Sequence, residues 1–135
     1  MLWMGSAVVL DMLAAPPMPV LFTTRAEDTD WARIVRLYDL LERVQPSPIV
    51  SLNRAVAVAM AENPTAGLAL IDALAAADDL ANYHLLHAAR ADLLRRLGSL
   101  PEAAESYMRA LALVTNDSER RFLERRLREV EAPAV

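Results

Sequence analysis

The chain has 135 residues, a length that supports one domain with its own hydrophobic core but not two. Hydrophobic residues make up 55% of the chain and charged residues 24%, which indicates a folded globular protein rather than a disordered one. Cysteine is absent, which excludes disulfides, a thiolate zinc site and a cysteine nucleophile. A net charge of −4 argues against a broad surface that binds nucleic acid without sequence preference.

The N-terminal stretch at 1–22, MLWMGSAVVLDMLAAPPMPVLF, is strongly apolar. Asp11 and a cluster of three prolines interrupt it, so no run is long enough for a transmembrane helix. A secretory signal is not expected either, because the first basic residue is Arg25. We therefore predict a cytoplasmic protein with no membrane partner, in which residues 1–27 form an apolar N-terminal arm that packs on the body.

Three helices are predicted in the first half of the remaining chain. Thr29 is the expected N-cap of the first, whose apolar residues recur at three- and four-residue steps until Pro46. Ser47-Pro48 and Asn63-Pro64 each place a capping side chain before a proline, which is typical of a helix start. These pairs predict a second helix over about 48–61 and a third over about 64–76. The second is apolar on nearly all sides, which indicates burial between neighbours.

Three further helices are predicted in the second half. Asp78-Asp79 marks a turn and a new start, followed by a helix over about 81–97 that ends with Gly98 in a left-handed conformation. Pro101 opens a fifth helix, and Ser118 opens a sixth that reaches about residue 130. No segment shows the alternation of a strand with turn residues at its ends. The short connections therefore predict an all-α protein built from antiparallel hairpins.

Two stretches of the chain share a packing pattern when they are shifted by 36 residues. Arg54 then falls on Arg90, and small residues meet small ones while large apolar residues meet large ones. The matched apolar pairs are Ala55 with Ala91, Val58 with Leu94, Gly67 with Ala103, Ile71 with Tyr107, and Leu74 with Ala110. Repeats that keep only their packing positions show this kind of similarity.

The second stretch has the spacing of a tetratricopeptide repeat, whose usual length is about 34 residues. The first helix resembles the second half of an earlier copy. Residues 28–131 are therefore predicted to form a tetratricopeptide-like domain, with about six helices in a short right-handed solenoid, followed by a tail at 132–135. The predicted structural repeat positions are Trp31, Tyr38, Ala55, Ala91, Leu94, Gly98, Ala103, Tyr107 and Ala110.

A more specific resemblance rests on longer motifs. The stretches AEDTDWARIVRLYDLL, SPIVSLNRAVAVAM, YHLLHAARADLLRRLG and ERRFLERRL resemble the C-terminal tetratricopeptide-like extension of bacterial RNA polymerase sigma factors of the extracytoplasmic-function class. This resemblance covers about residues 26–130 and implies a contribution to transcription initiation through contacts with the sigma regions or with RNA polymerase. The promoter-binding regions of that family are missing from the chain, so direct binding of nucleic acid does not carry over to it. The alternative is a stand-alone helical-repeat scaffold that self-associates as a homodimer through the N-terminal arm.

Candidate binding residues follow from the repeat. Arg54 and Arg90 occupy equivalent positions, each next to a small residue between helices. One interpretation is an ion pair with an acidic residue of a neighbouring helix, for which Asp39, Glu42 and Asp72 are the candidates. The other places Asn53, Arg54, His87 and Arg90 along a concave groove that binds an acidic or C-terminal segment of a protein partner.

Other chemistry is weakly represented in the sequence. His84 and His87 lie three residues apart on one helix and need a third ligand to hold a metal, so packing is the preferred interpretation and neither metal nor cofactor is expected. Glutamates alternate with the five arginines of the last helix, which is typical of a solvated face rather than of a DNA-binding one. A glycine-rich phosphate loop and a nucleophile-elbow motif are both absent from the sequence. An enzyme is therefore not expected.

Overall fold

The computed structural model describes residues 29–77 and 80–131, and within them the chain forms six α-helices and no strand. The helices are α1 (Trp31–Val44), α2 (Pro48–Ala61), α3 (Pro64–Ala76), α4 (His84–Arg96), α5 (Leu100–Leu113) and α6 (Asp117–Glu131). For the residues that the structure describes, the prediction of an all-α protein with about six helices is confirmed. The predicted arm at 1–27 and the predicted tail at 132–135 lie outside the described residues.

Polar side chains begin the first three helices. Ser47 and Asn63 are the N-caps of α2 and α3, as predicted: the Ser47 Oγ accepts from the Ile49 N–H and the Asn63 Oδ1 from the Ala66 N–H. The predicted cap of α1 at Thr29 is wrong by one residue. Asp30 takes this position, and its carboxylate accepts from the N–H three residues later at 3.1 Å, where it also faces the positive end of the helix.

The fifth and sixth helices begin one residue before the predicted Pro101 and Ser118, and the largest departure from the sequence predictions is at the start of the fourth helix. The fourth helix was expected from about residue 81, but α4 begins at His84 because Leu80 and Tyr83 form a turn in which the Tyr83 N–H donates to the Leu80 carbonyl. Leu80 is itself buried, which anchors this turn to the core. Gly98 adopts the predicted left-handed conformation, with φ at +84°, directly after α4.

The core lies where consecutive helices meet. Each helix packs against the next one along the chain, and α2 also touches α4. Most of the positions matched by the 36-residue shift are buried in pairs: Ala55 with Ala91, Val58 with Leu94, Gly67 with Ala103, and Ile71 with Tyr107. The helix α6 buries Leu123 and Val130 against the end of this stack. Of the predicted repeat positions, Ala55, Ala91, Leu94, Ala103, Tyr107 and Ala110 lie in the core, whereas Trp31 and Tyr38 are half-buried and Gly98 is exposed.

The first helix is covered differently from the others. None of the 14 residues of α1 is fully buried, although it packs along α2. By contrast, α2 and α4 each bury eight residues. Among the described residues, no helix is both long enough and apolar enough to cross a bilayer.

Candidate functional site

Two similar ion pairs join neighbouring helices. The Arg54 Nε on α2 lies 2.5 Å from the Asp39 Oδ1 on α1, and the Arg90 Nε on α4 lies 2.7 Å from the Asp72 Oδ1 on α3. Each pair therefore links a helix to the one that precedes it in the chain. The interpretation of both arginines as members of ion pairs agrees with this geometry.

Each arginine makes a second contact that differs between the copies. Arg54 lies 4.0 Å from Glu42, a carboxylate that also accepts a hydrogen bond from the Ser51 hydroxyl. An Nη1 of Arg90 donates to the buried Ser106 Oγ on α5 at 2.9 Å. Arg90 consequently connects three helices, α3, α4 and α5.

Both arginines remain partly at the surface. The side chains of Arg54 and Arg90 are 30% and 28% exposed, and their aspartate partners are more exposed still. Half-exposed pairs of this kind contribute roughly 0–1 kcal/mol each, because water screens them. An arginine has five N–H donors, so each of these side chains has donors beyond those used in the ion pair. An anionic group of a partner can therefore bind at either position.

The other two predicted groove residues are placed differently. Asn53 is only 3% exposed, and its Oδ1 is buried without a hydrogen-bond partner, so its side chain offers little surface to a partner. His87 is half-buried, and its Nε2–H donates to the Ala81 carbonyl at 2.8 Å. The His87 side chain thus lies against the turn before α4, one helical turn from Arg90.

His87 also lines a surface depression on α4 that we call the α4 depression. It has a volume of about 400 Å³ and lies between the end of α3 and the C-terminal half of α5. Its walls are apolar apart from two side chains, His87 and Arg109; the complete lining is Ala75, Ala81, Leu86, His87, Arg109, Ala112 and Leu113. An open apolar hollow with a cation at its edge suits a large side chain of a protein partner, particularly one next to a carboxylate.

Sequence reasoning found His87 but missed Arg109. Arg109 is an exposed residue of an amphipathic helix, and its spacing does not distinguish it from a solvated charge. Its place beside His87 arises only from the packing of α5 on α4. The sequence signal for this part of the site was therefore limited to one residue.

The histidine pair does not form a metal site in the described chain. His84 lies 2.9 Å from Glu119 on α6, so it links α4 to the last helix, whereas His87 points to the Ala81 carbonyl. Asp72, an acidic residue of the neighbouring helix α3, is paired with Arg90 rather than with a histidine. The described residues contain no group of three or more side chains arranged to hold a metal ion.

A buried polar cluster lies beside these surface groups. Asp92 is 4% exposed, and its carboxylate accepts from the Arg95 Nη2 at 2.6 Å and from the Arg96 Nε at 2.7 Å. Burial is the largest single influence on the pKa of Arg95 and lowers it, but the hydrogen bond to Asp92, the negative charge of Asp92 and the neighbouring Tyr107 together raise the pKa above its ordinary value. The sequence signal for this cluster was the presence of arginines three and four residues after Asp92. The repeat comparison did not use this signal.

Tyr107 on α5 faces this cluster. It is almost fully buried, and its hydroxyl has no hydrogen-bond partner. Burial first, and then the negative charge of Asp92, raise the pKa of Tyr107, while Arg95 and Arg126 act in the opposite direction. The cluster is enclosed by helices, so its role is in packing rather than in binding.

Three arginine contacts of α6 lie within the helix itself. The Arg126 Nη1 lies 3.0 Å from the Glu129 carboxylate, and the guanidinium groups of Arg125 and Arg126 lie 5.4 Å from the centre of the Phe122 ring. Such contacts support the interpretation of this helix as a solvated face.

Comparison with known proteins finds one informative relative. The chain is 45% identical over 108 residues to an uncharacterized protein of Rhizobium meliloti (strain 1021), and this match covers 80% of the chain but 25% of the relative. The chain therefore spans about a quarter of the length of the relative that it matches. No model of a known protein family and no solved structure matches the chain.

Proposed function

We propose that this chain is a protein–protein interaction domain that resembles the C-terminal regulatory extension of an extracytoplasmic-function sigma factor. In this proposal it is not an enzyme, and it acts in transcription initiation by docking onto sigma regions or RNA polymerase in the cytoplasm. Its hairpins form a short right-handed tetratricopeptide-like solenoid. The observation that carries the proposal is the set of motifs from AEDTDWARIVRLYDLL to ERRFLERRL, which fall on α1, α2, α4 and α6.

The packing of the repeat positions supports this proposal. In tetratricopeptide-like folds, small residues allow the paired helices to approach, and large apolar residues fill the space beside them. Ala55, Ala91 and Ala103 are fully buried small residues, and Tyr107 is a buried large one. The equivalent Arg54–Asp39 and Arg90–Asp72 pairs extend the repeat to the polar contacts between hairpins.

The relative from Rhizobium meliloti supports a modular role. A segment that makes up a quarter of a longer protein is similar to most of this chain, as is expected of a domain used together with other domains. An extension of a sigma factor is a domain of this kind.

The proposed mechanism is docking through two adjoining features of α4. Arg90 provides a cation for an acidic group of the partner, and the α4 depression receives an apolar side chain between His87 and Arg109. Arg54 offers an equivalent cation on α2. A partner segment that is both acidic and apolar fits these features best.

A binding experiment tests the proposal directly. The chain, immobilised at one end, is exposed to core RNA polymerase and to a sigma polypeptide that contains only the promoter- and polymerase-binding regions. We expect saturable binding to at least one of them. Replacement of His87 and Arg109 by alanine should weaken that binding roughly tenfold or more, the effect of losing a pair of central contact residues.

A matched control uses two arginines of α6. Arg121 and Arg128 are exposed and lie on a different helix, so their replacement by alanine should leave the binding unchanged. Binding of neither partner by the unmodified chain would contradict the proposal, as would equal binding by all variants.

The second candidate function is a scaffold that self-associates. Exposed large apolar residues on α1 favour it, because uncovered apolar surface is a common basis of self-association. Deletion of residues 1–25 tests whether the N-terminal arm is responsible for self-association. If it is, the shortened chain is a monomer by light scattering. An unchanged mass would exclude an arm-mediated dimer.

A further inference from the structure

The Arg90 ion pair adjoins the α4 depression along both of its walls. Arg90 of α4 donates to Asp72 of α3 from its Nε at 2.7 Å and to Ser106 of α5 from its Nη1 at 2.9 Å. Two lining residues of the depression lie three residues further on, Ala75 on α3 and Arg109 on α5. Three residues of a helix span about 4.5 Å, so Arg90 and Arg109 both lie at the same end of the depression.

The described charges at this end carry a positive surplus. Asp72 is the carboxylate that pairs with Arg90. Arg109 is exposed and makes no ion pair or hydrogen bond within residues 29–77 and 80–131, although Glu105 lies one turn before it on α5. Two guanidinium groups are thus set against one carboxylate, and the surplus charge is complementary to an acidic group of a partner.

The first copy of the repeat lacks this arrangement. The 36-residue shift places Ala73 at the position of Arg109 and Leu70 at the position of Ser106. Arg54, the counterpart of Arg90, therefore has neither the serine contact nor a second arginine one turn away. The surplus charge belongs to the second copy and is not a requirement of the repeat packing.

The depression continues away from the two arginines as an apolar surface. Leu113 follows Arg109 by one turn of α5, and Leu86 of α4 belongs to the same lining. Ala76 and Ala77 at the end of α3 are exposed and uncharged. An acidic group at the arginines and an apolar side chain in the depression would therefore lie about 5 Å apart along α5, which is the separation of side chains three or four residues apart on one face of a helix.

We propose that the partner segment is a helix that carries a carboxylate and, three or four residues away on the same face, a large apolar side chain. The carboxylate binds beside Arg90 and Arg109, and the apolar side chain enters the α4 depression. Since α3 and α5 both pack on α4, they form the two walls between which such a helix lies. This inference rests on the proposed docking function and adds the conformation and the residue spacing of the segment that docks.

Alanine-based helical peptides test the spacing without a natural partner. The first peptide carries Glu and Phe four residues apart, the second has Gln in place of Glu, and the third has Glu and Phe two residues apart, on opposite faces. Each is titrated into the isotopically labelled complete chain while NMR shifts are followed at Arg109, Ala112 and Leu113. We expect saturable shifts with the first peptide and about fivefold weaker binding, or none, with the other two.

A charge exchange tests the role of Arg109. Arg109→Glu should weaken binding of the first peptide about fivefold or more, and it should favour a peptide that has Lys in place of Glu. Arg121→Glu is the matched control, because it makes the same change at an exposed residue of α6. This control should bind the first peptide as the unmodified chain does.

Several results would overturn the inference. Equal affinity for the three peptides, or no binding of the first, would exclude the proposed spacing. Shifts at the same residues when the chain alone is diluted would mean that a second copy occupies the depression. Binding that appears only after Asp78→Asn and Asp79→Asn would mean that the chain's own acidic residues neutralise Arg109.

The proposed docking function can fail separately from this inference. Saturable binding of sigma regions or RNA polymerase, together with failure of the first peptide, would contradict the helical segment alone. Binding of the first peptide with the expected preferences, by a chain that binds neither of those partners, would support the helical segment and contradict the proposed docking function.

Discussion

Gly67 of α3 lies so close to Ala59 of α2 that a Cβ added to the glycine would be 2.3 Å from the Cβ of the alanine. The same Cβ would be 2.8 Å from the Ala55 carbonyl oxygen. The two helices therefore approach at a point where the backbone of α3 has no room for a side chain. The 36-residue shift places Ala103 of α5 at the matching position, so a methyl group is accommodated there but not at Gly67.

The first prediction is that Gly67→Ala destabilises the protein. Helix propensity alone favours alanine by about 1 kcal/mol, but the overlap with α2 forces the helices apart at a cost of about 1–3 kcal/mol. We expect a lower free energy of unfolding in urea. Adding Ala59→Gly removes the nearest methyl group but leaves the Ala55 carbonyl oxygen at 2.8 Å, so it should not restore the stability of the unmodified protein. An increase in stability on Gly67→Ala would contradict this close approach.

The second prediction concerns Gly98, the left-handed residue after α4. Its φ of +84° is strained for other residues, and no atom lies within 4 Å of a Cβ placed there. Gly98→Ala should therefore lower the free energy of unfolding by about 1 kcal/mol through backbone conformation alone. Gly98→Asn should cost less, because asparagine tolerates this conformation better. Equal losses for both variants would point to a steric cause instead.

The third prediction links Tyr107 to stability at high pH. Because the folded state raises the pKa of this phenol, the folded chain keeps its proton at a pH where the unfolded chain releases it. The stabilisation is complete below the unfolded pKa of about 10 and is lost as the pH rises through the higher folded value. Burial also raises the pKa of Tyr38, which contributes in the same sense.

Tyr107→Phe should therefore reduce the loss of stability at alkaline pH. The part of the loss that Tyr38 causes should remain. At neutral pH the variant should be as stable as the unmodified protein or slightly more so, because the buried hydroxyl has no hydrogen-bond partner. Urea midpoints measured from neutral to alkaline pH give both the stability at neutral pH and its loss at alkaline pH. A steeper alkaline loss in the variant would be the opposite of the expected sign.

The fourth prediction concerns Asp92, the buried carboxylate between two arginines. Asp92→Asn keeps the size of the side chain but removes its charge, which leaves Arg95 partly buried beside a neutral amide. We expect a loss of about 1–3 kcal/mol in the free energy of unfolding. The control is Asp72→Asn at the half-exposed pair with Arg90, which should cost less than about 1 kcal/mol. Similar losses of stability at both sites would contradict the expectation that the buried ion pair is the more costly one to break.

Much of the helical architecture follows from local sequence chemistry. Ser47 and Asn63 mark helix starts because each cap side chain acts on backbone N–H groups within three residues, and Gly98 marks a helix end because few other residues accept its conformation. The start of α4 was missed because it depends on Leu80 entering the core, which no local pattern reveals.

The candidate site is less visible in the sequence. The repeat points to Arg54 and Arg90, and it limits their acidic partners to a few nearby residues, including Asp39 and Asp72. Arg109 and the apolar lining of the α4 depression come together only when α5 packs on α4 and the end of α3. Contacts of that kind are set by tertiary packing, so spacing along the chain does not predict them.

The fifth prediction, that the equivalent arginines carry binding, provides the most direct test of the proposed docking function. The measurement is a titration of the chain into fluorescently labelled sigma regions and, separately, core RNA polymerase. It compares the unmodified protein, the Arg54→Ala, Arg90→Ala double variant and the Arg121→Ala, Arg128→Ala control, with a thermal melt of each. The account predicts saturable binding by the unmodified protein and the control, and loss of binding by the double variant with its cooperative melt retained. No binding by the unmodified protein, or equal binding by all three, would contradict the account.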